Sequence, residues 1–330
     1  MASKSIKAES RKGKGFVFPF IQLEIAKLKQ IGKERTSETY AATLKSFMKF
    51  RQGKDLLWCE MDSDIIRMYE NYLQNRGLTR NSTSFYMRIL RAVYNRAVEN
   101  GLTEDRRPFK QVYTGIDKTV KRAISLRTIK KIKDLDLTQK PHLEFARDMF
   151  LFSFYTRGMS FIDMAYLKKS DLQNGNLAYR RRKTGQRLMI KWEKCMQEIV
   201  DRYPTPPESP YLLPIIRPPY AFESTPKDTA RLAVQEDRSK ILQERRCYQK
   251  VLHSINHQLK ILSEQMGLPA PLTTYVARDT WANIARNQNI PISVISEGLG
   301  HHSEQTTQIY LTSLDISIIN EANRKIIEIV

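Results

Sequence analysis

The stretch from Tyr275 to Tyr310 constrains this chain more than any other. It contains Tyr275-Val276-Ala277-Arg278, then Gly298-Leu299-Gly300-His301, then Thr306-Thr307-Gln308-Ile309-Tyr310. Glycines on both sides of Leu299 predict a tight turn ahead of His301. Tyr310 follows nine positions after His301, room for a turn and two turns of helix that swing a phenol back beside the imidazole. A fold that accepts this stretch brings an arginine, a histidine and a tyrosine to one place. A phenol flanked by cations is a competent attacker of a phosphodiester. Arginine presents a rigid fork of donors to phosphate oxygens, and nearby positive charge favours phenolate over a phenol of ordinary pKa about 10. Taken singly, a tyrosine on an amphipathic helix is packing and a histidine beside glycine is a loop or a cap. The ordered combination carries the inference.

The charge points to the same partner. Lys and Arg number 55 against 35 Asp and Glu, a formal net charge of +20 at pH 7, which favours a polyanion, most simply nucleic acid. An acidic membrane surface would call for a strongly amphipathic basic helix or a lipidation signal, and neither stands out; no apolar run is long enough to span a bilayer. The amino terminus has no apolar run before Phe16 and no visible secretory signal, so a cytoplasmic protein, nucleoid-associated when bound to DNA, is expected. Cys59, Cys195 and Cys247 lack metal spacing and suit a reducing compartment. His253 and His257 stand at i, i+4, but the HExxH pattern is absent. No metal and no cofactor is expected.

At 330 residues the chain has room for two cores. Residues 1–15, with Lys4, Lys7, Arg11, Lys12 and Lys14 among small polar residues, read as a disordered basic arm. Helical periodicity then begins: Phe20, Leu23 and Leu28; Tyr40, Leu44, Phe47 and Met48 after Thr36; Ile65, Ile66, Tyr69 and Leu73 behind a cap at Asp62 or Ser63. A fourth helix runs from about Asn81 to Asn100, with Tyr86, Ile89, Leu90, Val93 and Ala97 facing inward. Its other face carries Arg80, Arg88, Arg91 and Arg96, candidates for phosphate contact. Residues 16–101 are therefore expected as a helical domain, 102–122 as a polar, basic linker, and 123–330 as a second domain. That domain opens with a helix after Ser125 and continues through a buried helix, Phe145–Tyr155. Two strands, Asn176–Lys183 and Gln186–Lys191, turn at Thr184-Gly185. The proline-rich stretch 204–226 reads as a long surface excursion, followed by a helix from about Asp237 to Met266 and an amphipathic tail helix carrying Ile316, Ile319, Ala322, Ile326 and Ile327.

Tyr275-x-x-Arg278, Leu299-Gly300-His301 and Tyr310, behind a four-helix domain, resemble the tyrosine recombinases, the phage-integrase family, whose box reads His-x-x-Arg, Leu-Gly-His and a terminal Tyr. The Thr306-Thr307-x-x-Tyr310 ending is similar in particular to integrases of Bacteroidetes mobile elements. The resemblance implies a mainly α fold: a two-domain DNA clamp with a helical, SAM-like core-binding domain and a mixed α/β catalytic domain with a small β-sheet. It implies a site-specific DNA recombinase that cuts and rejoins DNA through a 3′-phosphotyrosyl intermediate. Tyr310 would be the nucleophile, with Arg278, His301 and a second cation stabilising the non-bridging oxygens. Lys183, in Arg182-Lys183-Thr184-Gly185, matches the family's hairpin lysine and would protonate the leaving oxygen. Tyr275 stands where the family has its first histidine, and within the proline-rich stretch Tyr211-Leu212-Leu213-Pro214 looks like the family's strand-like segment.

The segment Thr156-Arg157-Gly158-Met159-Ser160-Phe161-Ile162-Asp163 resembles the family's first arginine motif with one departure. Asp163 falls on the acidic position, whereas Ser160 falls where the arginine should be. Arg157, three residues earlier, is then the expected second cation. Asp163 would orient active-site cations and form, with Ser160, a capping box for the next helix. The implied partners are double-stranded DNA with a specific recombination site and further copies of the chain, a tetramer on DNA in which residues 311–330 dock in trans. An accessory DNA-bending protein is compatible with this, and no membrane is involved. Two other readings stay open: a type IB topoisomerase-like enzyme with the same chemistry, and a catalytically inactive DNA-binding relative, given Ser160 and Tyr275.

Overall fold

The computed structural model describes residues 15–117, 122–217, 229–308, 311, 323–324 and 327–328. Tyr310 and most of the expected tail helix lie outside the described residues, as does nearly all of the expected basic arm. The chain divides into two compact units, Met1–Thr119 and Val120–Val330.

The first unit contains four helices: α1 (Val17–Gln30), α2 (Glu34–Phe50), α3 (Ser63–Asn75) and α4 (Arg80–Glu99). Asp62 starts α3 by accepting from the amides of Asp64 and Ile65 at 3.0 and 2.9 Å, and Thr79 Oγ1 starts α4 by accepting from Ser82 N. The core is aromatic, with edge-on pairs such as Phe47–Tyr69 (5.0 Å between centroids) and Phe20–Trp58 (5.4 Å). Leu23, predicted to face inward, is 50% exposed. Because α1 begins at Val17, its inner stripe runs Val17, Phe20, Ile21, Glu24 and Leu28.

The stretch 102–117, expected as part of an exposed linker, turns back onto this unit. Phe109 and Val112 are buried in its core, which outweighs the polar composition around them. Hydrogen bonds seat the rest: Asn81 pairs both ways with the Asp117 backbone (3.0 and 2.8 Å), and Ser84 Oγ donates to Gly115 O at 2.6 Å.

The second unit is built around α6 (Pro141–Tyr155), whose residues Ala146 to Ser153 are all buried. Against it pack α5 (Leu126–Lys133), α8 (Lys194–Arg202), the long α9 (Thr229–Gln265) and α10 (Val276–Asn287). The buried carboxylate Asp148 accepts from Arg147, Arg202 and Tyr203, so no polar group there is left unmatched. Between α7 (Phe161–Ala165) and α8 lies a three-stranded antiparallel sheet, β1 (Leu172–Gln173), β2 (Asn176–Arg180) and β3 (Arg187–Lys191). Its register pairs Leu177 with Ile190 and Tyr179 with Leu188, and these four face the core. The strands are shorter than predicted and leave a turn over 181–186; β1, two residues long, gave no periodic signal. Of residues 204–217, read as surface excursion, 204–208 are mostly exposed, whereas 211–216 turn inward. Leu213 and Ile215 are fully buried, and the Leu212 amide donates to Leu167 O at 2.8 Å. Two short helices, α11 (Ile292–Leu299) and α12 (Glu304–Gln308), complete the described fold. Among the described residues no helix is long and apolar enough to cross a membrane, and no group of three metal-ligating side chains gathers.

Candidate active site

Two short-range devices bring the predicted residues together. The first is the end of α6. Arg157 and Gly158 both adopt left-handed backbone, φ 60° and 70°, which stops the helix and turns the chain. A Cβ at Gly158 would lie 2.6 Å from Arg278 Cα, so only glycine lets this turn touch the backbone of α10. Arg278, on the first turn of α10 and 3% exposed, donates from Nη1 to Gly158 O at 2.8 Å.

The second device is the end of α11. Gly300 ends the helix with φ 65°, and a Cβ there would lie 2.9 Å from Leu188 Cδ1. This cap exposes the carbonyls of Leu299 and Gly300 at the negative end of the helix, where cations are favoured. Arg278 Nη2 donates to Leu299 O, and Arg181 Nη1 donates to Gly300 O at 2.7 Å. Two arginines thus sit on successive carbonyls.

His301 follows directly and is 7% exposed. Its Nε2 lies 3.0 Å from Arg278 Nη2 and its Nδ1 lies 2.8 Å from Thr307 Oγ1. Arginine can only donate, so Nε2 accepts and the ring proton belongs on Nδ1, directed at Thr307. Burial, and then the charges of Arg278, Arg181 and Lys183, push the His301 pKa down to about 4. The ring is neutral at pH 7.

The β2–β3 turn closes over the same region. Lys183 is exposed on it, and His302 Nε2 lies 3.3 Å from Thr184 O. Asp163, 3% exposed, holds the turn through the Arg182 amide at 2.8 Å, and its other oxygen accepts from Ser160 Oγ at 2.6 Å. The expected capping box is therefore not formed: Ser160 makes no side-chain cap to the backbone of α7, because its hydroxyl is committed to Asp163. Asp163 orients a backbone amide of the turn, with Arg182 stacked over the Tyr166 ring at 3.8 Å.

Arg278, His301, Asp163, Ser160 and the Lys183 turn are thus assembled around α10 and α11. Tyr275 is the residue before α10 and 50% exposed. Arg157 is half-buried, its Cδ 3.8 Å from where a Gly298 Cβ would stand beside Trp281; among the described residues it forms none of the hydrogen bonds around His301. Arg181 and Thr307 were missed by sequence reasoning. Arg181 is one of four consecutive basic residues, and nothing local distinguishes it. The Thr306-Thr307 pair before Tyr310 was the available signal for Thr307.

The basic face of α4 is only partly open. Arg96 donates to the buried carboxylate of Glu24 at 2.8 Å, so it holds α1 to α4. Arg80 stacks on Tyr113 at 3.8 Å, and Arg91 donates to Thr114 Oγ1 at 2.9 Å. Arg80 keeps 62% of its side chain exposed, and Arg88 Nε is buried without a partner.

A family model for the phage integrase SAM-like domain matches residues 16–113. No curated protein matches by sequence. Solved structures do match by shape. A lambda integrase dimer bound to a COC′ core site gives a TM-score of 0.62 at 15% identity, over 89% of this chain and 95% of that one. A lambda integrase tetramer bound to a Holliday junction also gives 0.62 at 15% identity, over 90% and 77%. The Tn1549 transposon integrase with transposon right end DNA gives 0.61 at 13% identity, over 93% and 98%. Mainly helical, with one small antiparallel sheet and a phage integrase SAM-like domain over residues 16–113, the chain has the fold of the tyrosine recombinase integrases.

Proposed function

We propose that the protein is a site-specific DNA recombinase of the tyrosine type, resembling integrases of Bacteroidetes mobile elements. The observation that carries this is the buried Arg278, whose fork is fixed by Gly158 O, Leu299 O and the neutral ring of His301. A preorganised guanidinium is what a phosphorus gaining negative charge requires. Tyr310 attacks the scissile phosphorus, the bond to the 5′ oxygen breaks, and Lys183 gives that oxygen its proton. The product is a 3′-phosphotyrosyl bond, which a 5′-hydroxyl of a partner strand can attack in reverse. His301, carrying no charge, aims Arg278. Tyr275 can donate one hydrogen bond to phosphate but adds no positive charge. The substrate is double-stranded DNA with a specific site, and the working form is an oligomer on it, as in the DNA-bound dimers and tetramers of lambda integrase.

Other tyrosines near the second core are poor nucleophiles. Tyr203 and Tyr211 donate to Asp148 and Glu244, and burial together with those carboxylates raises both phenol pKa values. Tyr310→Phe is therefore expected to keep specific binding and to form no SDS-resistant, protease-sensitive adduct on a nicked suicide duplex. An adduct from that variant would move the reaction to another residue.

A further inference from the structure

The family pattern leaves one place unfilled in this chain, since Ser160 stands where the first arginine is expected. Arg157 is the nearest cation in sequence, but a second buried cation stands beside the residue that precedes His301. Arg181 is 4% exposed and donates to Gly300 O at 2.7 Å, one residue from the Leu299 carbonyl that holds Arg278. Its Nε is buried and has no partner, and it forms no ion pair among the described residues. The contrast with Arg147 is direct, because that buried arginine is matched by Asp148 at 2.8 Å. A buried guanidinium with an idle donor and no counter-charge is costly and points to an anion that arrives from outside. Thr184 Oγ1 and Gln186 Oε1, on the same turn, are also buried without partners. Arg181 contributes to the field that keeps His301 neutral, alongside Arg278 and Lys183.

We propose, resting on the recombinase reading above, that Arg181 is the second arginine on the scissile phosphate and that Arg157 is not. A five-coordinate phosphorus spreads negative charge over its non-bridging oxygens, and Arg278 clamps one side. Arg181 supplies the other from the β2–β3 turn, two residues from Lys183. One turn thus delivers both an electrostatic clamp and the proton donor, and the Asp163 bond to the Arg182 amide at 2.8 Å sets its position. Arg157 instead belongs to the left-handed end of α6, against Gly298.

The test is single-turnover cleavage of a nicked suicide duplex by the full chain, with binding measured in parallel. Arg181→Ala and Arg181→Gln are each expected to slow adduct formation about 10²-fold or more at near wild-type affinity. The glutamine can still donate to Gly300 O, so its loss reports charge and not folding. Arg181→Lys should recover little, for want of the bidentate fork. Arg157→Ala should lose less than either. A methylphosphonate at the scissile position removes the charge of one non-bridging oxygen, and it should narrow the gap between Arg181→Ala and wild type. The assignment is overturned if Arg181→Gln cleaves within a few-fold of wild type, if Arg157→Ala loses more, or if methylphosphonate brings no rescue. Failure of the wild type itself to form any adduct on DNA that it binds would sink the recombinase reading, and this assignment with it.

Discussion

His301 illustrates how much a single residue's chemistry depends on what touches it. Its position was legible from Leu299-Gly300-His301, but its protonation was not, because that follows from burial and from three cations drawn from distant parts of the chain. With a folded pKa of about 4 against an ordinary 6.5, the unfolded chain binds an extra proton between those values. The stability tied to this ring is therefore complete above about pH 6.5 and is lost as pH falls toward 4. Nitrogen chemical shifts should put the ring proton on Nδ1 and give a midpoint well under 6; a midpoint near 6.5 would remove the neutral-ring account. Thr307→Val deletes the acceptor of that proton, and on the order of a 10-fold loss in cleavage is expected from one missing buried hydrogen bond. Thr307→Ser should restore most of it, and equal losses in both variants would mean that the methyl, not the hydroxyl, matters.

Among the elements, those with a long, uninterrupted period were readable and those set by tertiary contact were not. Helices α1 to α4 and α6 announced themselves through their apolar stripes, although the stripe of α1 was phased on Leu23 until Val17 fixed its true start. Residues 204–208 are mostly exposed as their prolines suggest, but proline also hides periodicity, and Leu213 and Ile215 a few positions on complete the core. Arg181 stayed hidden for a related reason: strand alternation stops at Arg180, so nothing local says which way the next side chain points. The Gly158 turn shows what such an element withstands. Gly158→Ala must place a Cβ 2.6 Å from Arg278 Cα at φ 70°. The left-handed backbone alone costs about 1–2 kcal/mol, and the clash adds to it. Lower thermal stability and loss of cleavage are expected together; wild-type values for both would mean that the helix ends do not meet in solution.

Over the whole molecule the +20 charge predicts binding that weakens steeply with salt, at a slope of about −0.9 per phosphate neutralised. The α4 arginines should divide in that measurement. Replacing Arg88 or Arg91 by Gln should each reduce the slope by about one unit. Arg96→Gln should leave the slope unchanged and lower thermal stability by about 1–2 kcal/mol, since it strands part of the buried Glu24 carboxylate. A slope that drops with Arg96 and not with the others would reverse the assignment. The ends of α6 and α11 have a consequence at this scale too. The Leu299 and Gly300 carbonyl oxygens each accept from one guanidinium nitrogen, of Arg278 and Arg181 respectively. On the proposed reading these carbonyls hold the two guanidinium planes in place to meet phosphate oxygens. With both side chains almost wholly buried, at 3% and 4% exposed, the protein itself has already stripped most solvent from these cations during folding.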